Sequence, residues 1–173
     1  MGKITKNCEK IILFLGDYPE KSFFSKEIAE KLNISLGGTH NALKYLVKEK
    51  IIEQEQKGNM KFYCVDEENP LVKQFKITSV VEELSLLIKK IKDNCVNIIL
   101  FGSASRGEQT ANSDIDLFIL THDPEAVKSK IAKVKNKLII NPIIKTPNQW
   151  SELEAREPEF YNEVKQGIKL FGV

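Results

Sequence analysis

Asp114 and Asp116 are the residues of this chain best suited to chemistry. They open an apolar run, Leu117 to Leu120, that reads as a buried strand. In an extended strand, residues two apart point the same way at about 7 Å. Two carboxylates so placed can share one or two Mg²⁺ ions, which favour hard oxygen ligands and keep substrate phosphates in their shell. Gly102 and Ser103 end an earlier apolar run over residues 97–101. A turn of small residues there offers backbone N–H groups and the Ser103 hydroxyl to phosphate oxygens, as an anion-binding nest does. The order strand, turn, Asp-x-Asp strand thus brings a phosphate cradle to a metal site.

A second phosphate motif is excluded. Gly102 and Gly107 have the spacing of a Walker A loop, but Glu108 and Gln109 stand where its Lys and Ser/Thr belong.

Gly102-Ser103, residues 104–113 and then Asp114-Ile115-Asp116 resemble the signature of the polymerase-β-type nucleotidyltransferase superfamily, particularly its minimal members. Arg106-Gly107 and Ser113 also stand where that family often has Arg-Gly and Ser. The resemblance covers roughly the second half of the chain. It implies an α+β fold with a small mixed sheet flanked by helices. It also implies transfer of a nucleoside monophosphate from an NTP to a hydroxyl acceptor, with release of pyrophosphate. By position, Asp114 and Asp116 would be the catalytic ligands of Mg²⁺ or Mn²⁺, and Gly102 and Ser103 would hold the nucleotide. Arg106 would assist: it is one of two arginines, with Arg156, and its planar fork suits phosphate oxygens. The resemblance further implies a third carboxylate on a later strand. The strand expected to bear it, residues 138–145, has no acid, and Asn141 is its one short polar side chain. A neutral amide ligates Mg²⁺ weakly and cannot act as a base. Asp123, Glu152 and Glu154 are the other candidates, although Asp123 also reads as a helix cap.

The elements that hold these residues follow from apolar spacing. Val80, Val81, Leu84, Leu87, Ile88 and Ile91 lie on one helix face, expected to pack under the sheet. Asn69-Pro70 starts that helix, which either runs through Thr78-Ser79 or breaks there. Asp123-Pro124 repeats the start signal, with Val127, Ile131, Val134 and Leu138 inward and Lys128, Lys130, Lys133, Lys135 and Lys137 on a solvated surface. Thr146 to Gln149 form a capping box for a helix bearing Trp150 and Leu153. Pro158 interrupts it, and Phe160, Val164 and Ile168 continue the cover.

The first half reads differently. Ile4, Cys8, Ile11, Ile12 and Leu15 mark one helix; Ser25 reads as the cap of a second, with Ile28, Ala29 and Leu32 inward. Ser35 caps a third, with Thr39, Leu43, Leu46 and Val47 inward. Two short strands follow, 51–56 and 61–65, joined at a tight turn over residues 57–60. Three helices and a hairpin resemble the winged helix-turn-helix fold, and that resemblance implies double-stranded DNA as a partner. By position His40, Asn41 and Lys44 would face the DNA, with Lys57 and Lys61 on the wing; Asn can read adenine bidentately. The departure is Gly37-Gly38 in the first turn of the third helix, where each glycine weakens helix by roughly 1 kcal/mol.

The expected organisation is a winged domain over residues 1–68, connecting helix over 69–94, and a nucleotidyltransferase domain over 95–173, with helix 79–94 packed on it. The 173-residue chain is 42% apolar and 29% charged, enough for buried cores. No apolar run approaches the roughly 20 residues of a membrane span, and the charged start lacks a signal-peptide core. Cys8, Cys64 and Cys95 are scattered without zinc spacing and read as reduced thiols of a cytoplasmic protein. A net charge of +2 provides no global field for nucleic acid, so any DNA contact must be a local patch. A homodimer on DNA is consistent with one recognition helix per chain. Two alternatives stay open: a DNA-binding regulator whose second domain binds nucleotide or protein without turnover, and an antitoxin-like protein acting on a toxin-like partner.

Overall fold

Side-chain caps begin five of the helices in the described residues, and four of those caps stand where the sequence places them. The computed structural model describes residues 4–134 and 138–172. The chain divides into two units, Met1–Lys76 and Ile77–Val173, in a mixed helix-and-sheet α+β fold.

In the first unit, α1 (Lys6–Gly16) begins where the Cys8 N–H donates to Thr5 Oγ1 at 3.4 Å. Cys8, Ile11, Ile12 and Leu15 face inward and are buried. After β1 (Phe23–Phe24) come α2 (Ser25–Leu32) and α3 (Leu36–Lys48). Ser25 is the first residue of α2 and not its cap; Phe24 holds the cap position, and its N–H donates to the Glu27 carboxylate at 3.0 Å. Ser35 caps α3 as expected, accepting the Gly38 N–H at 3.2 Å. Gly38 is also where α3 passes close to α1: a Cβ there would lie 3.1 Å from Asn7 Nδ2. A side chain there would crowd both the Ser35 cap, at 3.0 Å from Oγ, and the Asn7 amide, which sets a cost against the helix propensity that glycine forfeits.

The hairpin is β2 (Glu53–Lys57) with β3 (Met60–Cys64), and β1 pairs on the other side of β3, all antiparallel. Two residues are too short to show alternation, so β1 left no signal in the sequence. Three helices and this sheet enclose a core centred on Ile11, Ile12, Leu15, Ile28, Leu43 and Leu46.

α4 (Pro70–Ile91) starts with Asn69, whose Oδ1 accepts the Leu71 N–H at 3.0 Å, and runs unbroken through Thr78-Ser79. Within the first unit its Lys76 is 3% exposed, and Nζ donates to the Gly16 carbonyl at 3.0 Å. That carbonyl ends α1, where a helix leaves acceptors unpaired and favours positive charge.

The second unit is built on β4 (Asn97–Leu100), β5 (Ile115–Leu120), β6 (Ile140–Lys145) and β7 (Ile168–Gly172), in the order β6-β5-β4-β7. β5 and β6 are parallel and the other pairs antiparallel. Period-two alternation divides β5 between two cores. Leu117 and Ile119 join Leu84, Leu87 and Ile91 of α4 and Val127 of α6 (Pro124–Ala132). Phe118 and Leu120 face α7 (Pro147–Arg156) and α8 (Pro158–Gln166), where Phe118 lies 4.7 Å from the Trp150 ring. Trp150 is thus a packing residue.

Two expectations are corrected here. α6 stops at Ala132, so Val134 and Leu138 are not on its face; Lys135 and Lys137 lie outside the described residues. The chain is extending toward β6 by Ile139, whose carbonyl accepts the Ile115 N–H at 2.8 Å. Ile168 is not helical cover: it starts β7, which fills the edge beside β4. Among the described residues no helix is long and apolar enough to cross a membrane. All three cysteines are free, and burial pushes the Cys95 thiol up to about 11.

Lys76→Ala should destabilise the protein by about 1–3 kcal/mol, since it leaves the Gly16 carbonyl buried without this donor. Urea unfolding followed by circular dichroism measures it.

Candidate functional site

The antiparallel ladder between β4 and β5 pairs Leu100 with Leu117, and it extends one step further when the Phe101 N–H donates to the Asp116 carbonyl at 3.1 Å. The next residue, Gly102, therefore turns directly against the Asp116 side chain. Its φ is +68°, the left-handed region that side chains disfavour. A Cβ there would lie 2.6 Å from Asp116 Oδ2. Glycine is favoured here by conformation, and any side chain would have to displace the Asp116 carboxylate.

The chain continues as a short helix, α5 (Gly102–Arg106), where the sequence suggested a simple turn. Gly107, at φ 72°, ends it, and the Glu108 N–H donates back to the Ser103 carbonyl at 2.9 Å; this is a helix-terminating return to an otherwise orphaned acceptor. Ser103 is half-buried. Arg106 is more exposed, and it is held by carboxylates: Nε donates to Glu108 at 2.7 Å, and Nη1 lies 3.8 Å from Glu163 of α8. Its fork is therefore occupied by acids in this structure.

Asp116 is half-buried near the start of β5, and Asp114 is exposed just before the strand. Across the parallel ladder Asp116 stands opposite Asn141 of β6. The Asn141 amide donates from Nδ2 to Asp116 Oδ1 at 2.8 Å. The two Asp116 oxygens thus have different neighbours: Oδ1 the amide, and Oδ2 the space that the missing Gly102 side chain leaves. Neither Glu152, paired with Arg156 at 3.2 Å, nor Asp123, which caps α6 by accepting the Ala126 N–H at 3.0 Å, takes the Asn141 position. Among the described residues no group of three or more His, Cys, Asp or Glu is arranged to hold a metal. Asp114 and Asp116 offer carboxylate oxygens, the hard ligand type that divalent cations such as Mg²⁺ take.

These features coincide with a match along the sequence: the family model described as "Nucleotidyltransferase domain" covers residues 81–169. The chain belongs to this nucleotidyltransferase family. The matched region starts in α4 and contains β4, α5, β5 and β6, so every residue of the Gly102–Asp116–Asn141 constellation lies within the nucleotidyltransferase domain.

Similar solved structures include the adhesin competence repressor AdcR of Streptococcus pyogenes, 20% identical over 53% of this chain and 68% of that one, with a TM-score of 0.42. ZitR of Lactococcus lactis, solved as a cysteine-to-serine mutant in complex with DNA, is 26% identical over 53% of this chain and 62% of that one, at 0.42. The homodimeric winged helix-turn-helix DNA-binding domain of Mb0332 from Mycobacterium bovis is 17% identical over 47% and 72%, at 0.39. At these TM-scores the likeness assigns nothing further to the chain. Comparison with curated proteins returned no match.

The first unit of the chain carries a concave surface of about 650 Å³ between α3 and the hairpin. His40, Asn41 and Lys44 line it from α3 and Lys61 from β3, so four of the five residues singled out for DNA converge there. Lys57 does not line it; its ammonium pairs with Glu55 at 2.9 Å and sits over the Phe62 ring at 5.4 Å. The aromatic floor from Phe24 and Tyr63 was not anticipated, since Phe24 belongs to the strand that the sequence concealed.

Gly102→Ala should cost about 1–3 kcal/mol through backbone strain and should displace the Asp116 carboxylate. Thermal melting measures the first effect. Loss of divalent-metal-dependent nucleotide binding, beyond any loss of folded protein, measures the second.

Proposed function

We propose that the chain transfers a nucleoside monophosphate from an NTP to a hydroxyl, at a site formed by Gly102, Ser103, Asp114 and Asp116. The observation that carries this is the seat of Asp116 Oδ2 against the side-chain-free Gly102, inside the region matched as a nucleotidyltransferase domain. That fit keeps a carboxylate beside open backbone where a triphosphate can approach.

Asp114 and Asp116 would hold Mg²⁺ or Mn²⁺, which when bound neutralises phosphate charge and orients the triphosphate. Gly102 lets the backbone come close to phosphate, and Ser103 offers a hydroxyl to it. Arg106 can reach phosphate by exchanging its two carboxylate partners, an exposed and therefore weakly held pairing. In the transfer, the acceptor oxygen bonds the α-phosphorus as the bond to the pyrophosphate oxygen breaks. The hydroxyl proton passes to water, because Asn141 beside Asp116 cannot accept one. Phosphoryl transfer depends mainly on positioning and electrostatics, while general-base help is worth roughly 10²- to 10⁴-fold. The expected enzyme is slow and selective for its own acceptor.

The groove at α3 favours a second, compatible activity. His40, Asn41, Lys44 and Lys61 would bind duplex DNA there, with Lys44 and Lys61 on phosphates and Asn41 on a base edge. A single groove with two lysines offers little affinity, which favours two copies acting together on DNA. In the non-catalytic form of this reading, the nucleotide serves as a ligand that a DNA-binding regulator senses.

Calorimetric titration of each Mg-NTP should show binding that Asp114→Asn and Asp116→Asn weaken while the melting temperature stays close to wild type. Equal binding by all three proteins would reject the assigned site. On duplex DNA selected from random sequence, Lys44→Ala and Lys61→Ala should each weaken binding and lower the salt slope by about one. Asn41→Ala should instead relax the selected sequence. Undetectable binding at low salt would end the DNA reading.

A further inference from the structure

We propose that Asn141 makes metal uptake at this site dependent on nucleotide: the pair Asp114 and Asp116 takes a divalent cation that arrives with a triphosphate and holds the free cation poorly. This rests on the site assigned above and specifies how it is loaded.

The parallel register places Asn141 directly opposite Asp116, and its amide donates to Asp116 Oδ1 at 2.8 Å. The contact has two consequences. The first is charge. An acid at position 141 would add a third negative charge next to the pair, whereas the amide adds none. Binding of a bare divalent cation must repay the loss of its water shell, and each nearby negative charge contributes to that by Coulomb attraction. With two carboxylates, one of them exposed, the free ion gains little. The phosphates of a nucleotide supply the missing negative charge and the remaining oxygen ligands together.

The second consequence is direction. Oδ1 is engaged by an N–H donor, so the oxygen of Asp116 left for a cation is Oδ2, on the Gly102 side. Gly102 and Ser103 are where phosphate is expected. The ligand oxygen thus faces the side where phosphate is expected, and on the other side of Asp116 the neutral amide of Asn141 offers a second cation at most a weak ligand. The absence of a third acidic neighbour among the described residues agrees with this.

Asn141 is a positioning residue in this account, and its role is read by metal binding and not by turnover. Mn²⁺ binding to the full chain can be followed by electron paramagnetic resonance, with and without a non-hydrolysable ATP, CTP, GTP or UTP analogue. Wild type should bind free Mn²⁺ weakly, and the analogue it accepts should tighten uptake by about tenfold or more, the scale of one added charge near a cation. Asn141→Asp should bind free Mn²⁺ about tenfold or more tightly than wild type without any nucleotide.

Melting temperatures guard against misfolding. Asn141→Asp should melt below wild type in EDTA, because two carboxylates then face each other, and Mn²⁺ alone should restore it. Wild type should be insensitive to Mn²⁺ alone. If Asn141→Asp folds but gains neither affinity nor stability from free Mn²⁺, the inference is overturned. Wild type that binds free Mn²⁺ as tightly without nucleotide as with it overturns it equally. Those failures differ from failure of the underlying site, in which wild type takes up no Mn²⁺–nucleotide and Asp116→Asn changes nothing; that result would overturn both.

Discussion

The candidate site depends on one packing constraint, the absence of a side chain at Gly102 against the carboxylate of Asp116. The apolar ladder of β4 and β5 sets it up. Ile98, Leu100, Leu117 and Phe118 are almost fully buried, and a one-residue slip would exchange the side chains that pack the two cores on either face of the sheet. With the register fixed, Phe101 must pair with Asp116, and the chain must turn at the following residue. Any Cβ at that turn would strike the carboxylate. The core therefore determines where the acid stands, and glycine determines that backbone, not a side chain, forms the opposite wall.

Much of this was legible in the sequence because the relevant signals are local. Asn69-Pro70, Asp123-Pro124 and Thr146 with Gln149 are caps whose chemistry works within four residues, and each begins the helix it announces. The alternating faces of β5 could be read from its own residues. The signals that failed involve distant partners. Two residues of β1 and five of β7 become strands only because β3 and β4 offer them an edge. Ser25 looked like a cap, but its place was taken by Phe24, whose N–H Glu27 satisfies. Arg106 was read as lying in the turn after β4, yet nothing local pointed to Glu163, 57 positions later, as its second partner.

Asn141 shows how far residue type alone can carry a reading. As the one short polar residue in an otherwise apolar or basic strand, it was the natural occupant of the position next to the acids. Its hydrogen bond to Asp116 is a tertiary fact that requires the parallel pairing of β5 with β6. The same limit applies in the first unit, where a net charge near balance said nothing of a partner. The α3 groove gathers Lys44 and Lys61, while Lys57, chemically identical and nearby in sequence, pairs with Glu55. Local pairing, not lysine count, separates the groove residues from the bystander.

The amide at position 141 also changes what Asp116 costs the fold. Two carboxylates in register on adjacent parallel strands would repel each other unless one kept a proton or a cation lay between them. An amide in the same place gives Asp116 a donor at 2.8 Å, so the charged acid is satisfied without a metal. The same amide offers neither a base nor a third charged metal ligand. In the proposed function, slow transfer and an Asp116 held by a hydrogen bond would then be two effects of a single atom exchange, nitrogen for oxygen.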